Sequence, residues 1–392
     1  MRIVIVRPMQ EFSMQVYADG IISGLQKVRP DWEIIDLLPR SYDRKSKSLS
    51  LRIKKYYERF WSYPRQVQQQ DADIFHIIES AEAHIVYWLQ KSAKPAVVTC
   101  HDLINLYYRE NLQGSVQIPF ISDAVWKHAV KGMRLANHII SVSEMTAKDT
   151  NRFFSIEPGC ISVVPNAVDE KFKVLPSDEI QTFRAKYGLN PDTICLLNVG
   201  ANHPRKNIAN ILESLVILKQ KNLEFKFWKV GVDFTDIQKE FIKNHDLESH
   251  IHYLGMPDNE MLTPIYNAAD ILLAPSLHEG FGMTLLEAMA CGTAVITSNT
   301  SAMPEVVGDA GILVNPKDSQ AIANAVISLQ NDPVFYRELV NKGIERAKLF
   351  TWEAAAEQIA QIYEKVVQSQ KLFKNNFSSE SLIKLSNSTT NN

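Results

Sequence analysis

The chain has 392 residues, too many for one ordinary core and suited to two domains of about 150 to 200 residues each. Its make-up, 45% hydrophobic and 22% charged with a net charge of -2, is that of a globular protein and carries no basic excess for nucleic acid. Cys100, Cys160, Cys195 and Cys291 lack CxxC spacing, which excludes a zinc ribbon or disulfide framework and fits a reducing, cytoplasmic setting, and no apolar run approaches the roughly 18 residues of a membrane span.

The opening MRIVIVRP is too short for a signal core and long enough for a strand at 2–6. Further strand-like runs follow at 32–37 (WEIIDL), 73–78 (DIFHII), 96–100 (AVVTC), 138–143 (HIISVS) and 161–165 (ISVVP). A polar stretch at 168–179, containing Pro176, reads as a linker. The rhythm then restarts at 193–200 (TICLLNVG), 225–231 (FKFWKVG), 250–255 (HIHYLG), 270–276 (DILLAPS) and 294–298 (AVITS). Helical patterns such as 207–220 lie between the runs, as parallel βαβ units require. The expected fold class is α/β: two doubly wound Rossmann-like domains, 1–170 and 171–350, facing each other across a cleft. A helix over 351–368 is expected to cross back to the first domain, and the Ser/Asn-rich 369–392 to be disordered.

In the second half, HEGFGMTLLEAMACG follows a strand. Gly280 and Gly282 let backbone approach a ligand, and a helix starting near Met283 and Thr284 aims unpaired N–H groups at the same place, which suits phosphate. Glu279 and Glu287 flank that place, and carboxylates beside a phosphate need hydroxyl partners. Either alone would read as a surface residue; together they suggest a ligand with phosphates in the middle and hydroxyls at both ends, as in a nucleotide sugar. The first βα turn of this half, NVGANHPRKN, adds Arg205 and Lys206 after Gly200, a fork and a point charge for a diphosphate. A solvated surface is the alternative for such a pair.

These motifs resemble the GT-B fold retaining glycosyltransferases, specifically glycosyltransferase family 4 (glycosyl transferases group 1). The resemblance rests on E-x7-E from Glu279 to Glu287, G-x-x-x-x-R-K-N from Gly200 to Asn207, and VVPNAVDEKF at 163–172. It covers about residues 2–365. It implies transfer of a hexosyl group from a nucleotide diphosphate sugar, UDP- or GDP-linked, to a hydroxyl of a glycan, lipid-linked saccharide or glycolipid, with retention and with no metal or other cofactor. Arg205 and Lys206 would hold the diphosphate. Glu279 would face the sugar, Glu287 the ribose, and the amides of Gly280, Phe281 and Gly282 the sugar and phosphates. His101, in CHDLI, would sit near the transferred sugar as a fourth catalytic candidate, and Asn166 near the cleft. A satisfied structural histidine is the alternative for His101.

The sequence departs from the family in its first βα turn, RPMQEFSMQVYADG, which has no glycine until Gly20 and leaves Ser13 as a weak acceptor-side candidate. Residues 40–65 are also unusual, with nine Lys/Arg against two acids and with Leu49, Ile53, Tyr56, Tyr57, Phe60 and Trp61 at helical spacing. Two readings stand: a helix lying on an anionic membrane surface, or one packing its aromatic face on the sheet. A catalytically silent sugar-nucleotide binder and a sugar-nucleotide epimerase are the competing functions. A dehydrogenase is excluded by the missing GxGxxG after the first strand.

Overall fold

The computed structural model describes residues 1–9, 12–40, 48–107, 120–190 and 193–389, with the side chains of 12–13, 120–121, 259 and 373–389 left outside it. Two six-stranded parallel sheets form the frame. The first is ordered β2-β1-β3-β4-β5-β6, from β1 (Arg2–Val6), β2 (Glu33–Leu37), β3 (Ile74–Ile77), β4 (Ala96–Cys100), β5 (His138–Ser141) and β6 (Ile161–Val163). The second is ordered β12-β11-β10-β7-β8-β9, from β7 (Ile194–Gly200), β8 (Phe225–Gly231), β9 (Ile251–Tyr253), β10 (Ile271–Ala274), β11 (Ala294–Ser298) and β12 (Ile312–Val314). Eleven of these strands lie within the runs read from the sequence. β12 was not among them: Ile312–Val314 is three residues long and pairs only on one side, with β11.

The near-continuous apolar runs have a direct cause. Side chains alternate across a strand, and here both faces are covered by helices, so both must be apolar. In the first sheet Val4, Phe75 and Val98 enter one core, while Ile3, Ile5, Ile74 and Val97 enter the other. In the second, Cys195, Leu197 and Leu272 face one way and Leu196, Ile271 and Leu273 the other.

Each sheet reverses direction once. In the first, β1 lies between β2 and β3; in the second, β7 lies between β8 and β10. At such switch points the turns leaving adjacent strands part in opposite directions and open a crevice at the C-terminal edge of the sheet. The turns after β7 and β10 are the ones that carry Arg205-Lys206 and Glu279-Gly282.

The last helix, Trp352–Thr389, packs on the first domain against the helix Phe12–Val28. Ala356, Ile359, Ala360 and Tyr363 enter the first domain's core, and Tyr363 Oη lies 2.6 Å from His76 Nδ1. Ion pairs join Arg29 to Glu357 and Glu364, and Lys27 to Glu353, along the edge. The close approach depends on Gly24, where a β-carbon would stand 2.5 Å from the Trp352 carbonyl oxygen. Gly20 faces the Trp352 ring in the same way. The backbone helix continues to Thr389, past residue 369, where disorder was expected. No Pro or Gly interrupts 353–389, and extending a nucleated helix is far cheaper than starting one.

Between β2 and β3 the basic segment divides. Residues 41–47, with Arg44, Lys45 and Lys47, lie outside the described residues. The helix Leu49–Tyr57 buries none of its residues. A π-helical turn, Glu58–Ser62, then brings the chain down onto the domain: Glu58 is buried, Phe60 lies against His84 and Trp61 against Trp88, and Tyr63, 1% exposed, has its hydroxyl at the Arg7 and Leu37 carbonyls.

Replacing Gly24 by Ala forces backbone apart at Trp352. Overpacking of this kind costs about 1–3 kcal/mol, against about 1 kcal/mol returned by the better helix former. A lowered melting temperature is expected for Gly24→Ala and a larger drop for Gly24→Leu, measured by differential scanning calorimetry.

Candidate active site

The turn after β7 is built around Asn207. It adopts a left-handed conformation (φ 60°), which Asn tolerates better than most side chains, and its amide nitrogen donates to the carbonyls of Pro275 (2.9 Å) and Pro316 (2.6 Å). The turn is thereby tied to the one after β10. Leu277 N donates to Arg205 O at 2.7 Å, a second tie. Behind the second turn, Ser301 Oγ donates to Glu279 O at 2.7 Å and accepts from Glu279 N at 3.1 Å. These bonds fix where Arg205, Lys206 and Glu279 can point.

They converge. The Glu279 carboxylate, 8% exposed as a residue, pairs with Arg205 Nη1 through one oxygen and with Lys206 Nζ at 2.6 Å through the other. Burial alone would raise its pKa, but Lys206 and then Arg205 more than reverse this and hold it at about 2. Arg205 Nη1 also donates to His278 O at 3.2 Å. The sequence suggested cations for a diphosphate and a carboxylate for sugar hydroxyls; the structure joins all three groups in one ion-paired cluster.

The helix Met283–Ala290 starts immediately after, capped by Gly282 in a left-handed conformation (φ 110°). Met283 and Thr284 form its first turn. Glu287, one turn further on, is half-buried and accepts from Tyr266 Oη at 2.7 Å. Burial raises its pKa, opposed by that hydrogen bond. Phe281 carries a backbone amide at the site, but its side chain is 5% exposed and belongs to the core, 6.0 Å from the Phe350 ring.

The first domain meets this loop directly. A β-carbon at Gly280 would collide with the His101 carbonyl oxygen and lie 2.8 Å from Asp102 Cβ, so domain contact is a reason for glycine here that the sequence did not reveal. His101 lies at the end of β4, with Nε2 3.0 Å from Ile78 O and the Tyr17 ring edge-on at 4.6 Å. Burial lowers its pKa to about 4, so it is neutral at pH 7 and, as the Nε2–H tautomer, keeps Nδ1 as an acceptor. The reading of His101 as a satisfied structural histidine is compatible with the Ile78 bond, and the reading as a site residue with its place against Gly280.

Asn166, 8% exposed, has a buried Oδ1 without a partner. Ser13 falls in the helix Phe12–Val28, and its side chain lies outside the described residues. Arg7, just after β1, is clamped by Asp36, Asp19 and Gln15.

Several residues at the site escaped sequence reading. Tyr266 orients Glu287 from a helix that reads only as apolar. Lys229, wholly buried in β8, donates to the Gly200 and Val230 carbonyls at 2.8 Å each, and burial followed by Lys206 lowers its pKa to about 8. A lysine inside FKFWKVG was its only signal. His278 faces the Tyr107 ring at 4.8 Å, and Tyr107 Oη donates to Asp149, whose pKa is raised by burial.

Comparison with known proteins bears on the family and the fold. Residues 179–350 match the family model described as glycosyl transferases group 1, and residues 30–172 the model described as glycosyltransferase family 4. The serotype-specific mannosyltransferase WbdA of Escherichia coli is 28% identical over 282 residues, 70% of this chain and 34% of the relative. The chain thus spans about a third of that relative's length. The O-antigen chain mannosyltransferase B of Escherichia coli is 29% identical over 287 residues, 71% of this chain and 72% of the relative. Among solved structures, sucrose-phosphate synthase from Thermosynechococcus elongatus superposes with a TM-score of 0.75 at 21% identity, covering 94% of this chain and all of the other, which speaks for the fold.

The pairing of Glu279 has a pH signature. Its folded pKa lies below the unfolded value, so its contribution is complete above about 4.5 and is lost as pH falls toward 2. The shift corresponds to about 3 kcal/mol. Glu279→Gln is therefore expected to be destabilised near neutral pH, with the gap to wild type closing between pH 4.5 and 2. Denaturant melts across that range check this; a constant gap would mean the carboxylate is not held by its cations.

Proposed function

The chain belongs to the GT-B glycosyltransferases of family 4 type, and from that premise we propose that it transfers a hexosyl group, mannose foremost, from a nucleoside diphosphate sugar to a hydroxyl of a glycan or lipid-linked acceptor, with retention. The observation that carries this reading is the convergence of Arg205 and Lys206 on one carboxylate at the switch point of the second sheet, beside a glycine-capped helix start. Mannose is favoured because relatives of this chain are mannosyltransferases. The cluster is preorganised for anionic oxygen: a diphosphate entering it replaces Glu279 on the two cations and frees that carboxylate for sugar hydroxyls. Glu287 accepts from the ribose hydroxyls.

In the transfer step the bond from the anomeric carbon to the diphosphate oxygen breaks and its electron pair stays on that oxygen. Arg205 and Lys206 stabilise the charge, the largest contribution expected from fixed groups in a dry site. The acceptor hydroxyl oxygen bonds to the same face of the anomeric carbon, and its proton passes to a phosphate oxygen of the leaving group. Neutral His101 meets the sugar as a hydrogen-bond partner, and Asn166 Oδ1 is available to an acceptor hydroxyl. Two protein cations at the diphosphate make the reaction metal-independent in this reading.

The partner reading includes an anionic membrane surface on the cytoplasmic side, against which the acceptor is met. Among the described residues no helix is long and apolar enough to cross a membrane. The helix Leu49–Tyr57 supports a peripheral contact instead. Leu49 is 71% exposed, Ile53 63% and Tyr57 60%, beside Arg52, Lys54 and Lys55, and Trp61 follows at 53%. The packing alternative keeps support from the turn that follows, where Phe60 lies against His84 and Trp61 against Trp88.

Thermal shift against UDP-, GDP-, ADP- and TDP-sugars is expected to show stabilisation by one donor. Arg205→Ala should abolish that stabilisation, and turnover should be unaffected by chelator; stabilisation without turnover favours the silent binder, and stabilisation by none of them overturns the donor reading. Retention is read from the anomeric configuration of the product by NMR, and inversion would overturn it. Separately, co-sedimentation with vesicles containing anionic phospholipid should fall at least several-fold in Ile53→Glu/Trp61→Glu and be weak with zwitterionic vesicles, because the helix needs both apolar insertion and charge. Equal binding by the variant would sink the membrane reading and leave the transferase reading standing.

A further inference from the structure

The loop that carries Glu279 and Gly280 is gripped from the first domain by one helix end. Glu144–Phe154 is capped by Ser143, whose hydroxyl donates to Gly280 O at 2.6 Å, and Thr146 Oγ1 donates to the same oxygen at 3.1 Å. The first two N–H groups of that helix have no partner within it, as at any helix start. They are taken across the domain boundary by Glu305: Glu144 N donates to Oε2 at 2.8 Å and Met145 N to Oε1 at 3.3 Å. Glu305 belongs to the helix Met303–Val307 of the second domain, and Arg346 holds its carbonyl oxygen at 2.7 Å.

We infer that Glu305 is a positioning residue for transfer: its carboxylate clasps the start of helix Glu144–Phe154 and so sets the closed spacing between the donor loop and the acceptor-side domain. The kinetic part of this inference rests on the transferase reading above. A carboxylate is the right group for the task. It accepts from two adjacent backbone N–H groups at once, and its charge complements the positive end of the helix dipole. The clasp and the Gly280 contacts act on one small region, because Gly280 is squeezed between the Ser143-Thr146 hydroxyls and the His101 carbonyl. The reacting carbon and the attacking oxygen are held by different domains. A misplacement of about 1 Å between them is enough to cost on the order of 100-fold in rate. The Glu305 carboxylate is spent on the amides of Glu144 and Met145, on a helix separate from the turns that carry Arg205, Lys206 and Glu279, so the effect is expected on the transfer step and not on donor binding.

The test uses both halves of the clasp. Glu305→Ala removes the acceptor. Glu144→Pro removes the better of the two donors at the first helical position, where proline is well tolerated, after Ser143, whose extended backbone (φ -157°, ψ 160°) suits the residue before a proline. Each variant is expected to lower kcat about 10- to 100-fold with donor Kd within about twofold, and to enlarge the radius of gyration in small-angle scattering. The double variant should be no worse than either single one, because both remove the same interaction. Glu305→Gln, which keeps the shape and loses the charge, should fall in between and serves if Glu305→Ala does not fold. Unchanged kcat and scattering in the Glu305 variants would overturn the clasp, as would losses that multiply in the double variant. If the wild type turned over no donor, the transferase reading would fail, while the scattering comparison would still decide the clasp.

Discussion

The arrangement depends on one electrostatic requirement. Two cations, Arg205 and Lys206, are held at the C-terminal edge of a buried sheet, and they need an anion there at all times. Side chains this poorly solvated cannot stay unpaired without a cost of several kcal/mol. In the unliganded chain the anion is Glu279, and its strongly depressed pKa is the measure of how firmly it is held. The same requirement explains why the turns after β7 and β10 are locked together by Asn207, Leu277 and Ser301. A pair of loops free to separate would let water in and remove the reason for the pairing.

From that cluster the rest of the site is organised by position along a single helix. Gly282 starts it, Glu287 lies one turn along it, and Tyr266 fixes Glu287 from behind. The two carboxylates differ in kind. Glu279 is held ionised by charge, whereas Glu287 is held by a neutral hydroxyl, and burial pushes its pKa the other way. One is the counter-ion of two cations; the other is a hydrogen-bond acceptor engaged by the Tyr266 hydroxyl. The E-x7-E spacing thus places two chemically distinct carboxylates on one scaffold.

The strands and the two turns that carry Arg205-Lys206 and Glu279-Gly282 were legible because local signals carry them: apolar runs of strand length, and motifs that are each no longer than nine residues. What was not legible came from long-range pairing. Gly20 stood out only as the first glycine after the opening strand, and with Gly24 it makes room for the helix from Trp352, more than 300 residues away. Gly280 read as a ligand contact and is also a domain contact, because the chain segment facing it, His101, lies on another sheet. Glu305 carried no signal, since an acidic residue in the first turn of a helix ordinarily serves that helix. The helix Leu49–Tyr57 was ambiguous for a different reason: amphipathic periodicity says that a face wants an apolar partner and cannot say whether the partner is the protein.

The two domain contacts differ in what they can withstand. The crossover helix is secured by apolar burial and by glycines that fit only one partner, so it behaves as part of the first domain. The contact at Gly280 is made of hydrogen bonds to a single carbonyl and of a carboxylate on a helix end, with the Tyr107 ring against His278 beside them. Interactions of this type are individually worth about 0.5–1.5 kcal/mol net, because water competes for every group when the surfaces part. On the transferase reading, the hinge side is therefore the one expected to hold when the two domains part to admit a sugar nucleotide. A polar clasp rather than an apolar seam at the mouth of the cleft is what an enzyme must have if it is to close over a donor and still release the nucleotide it leaves behind.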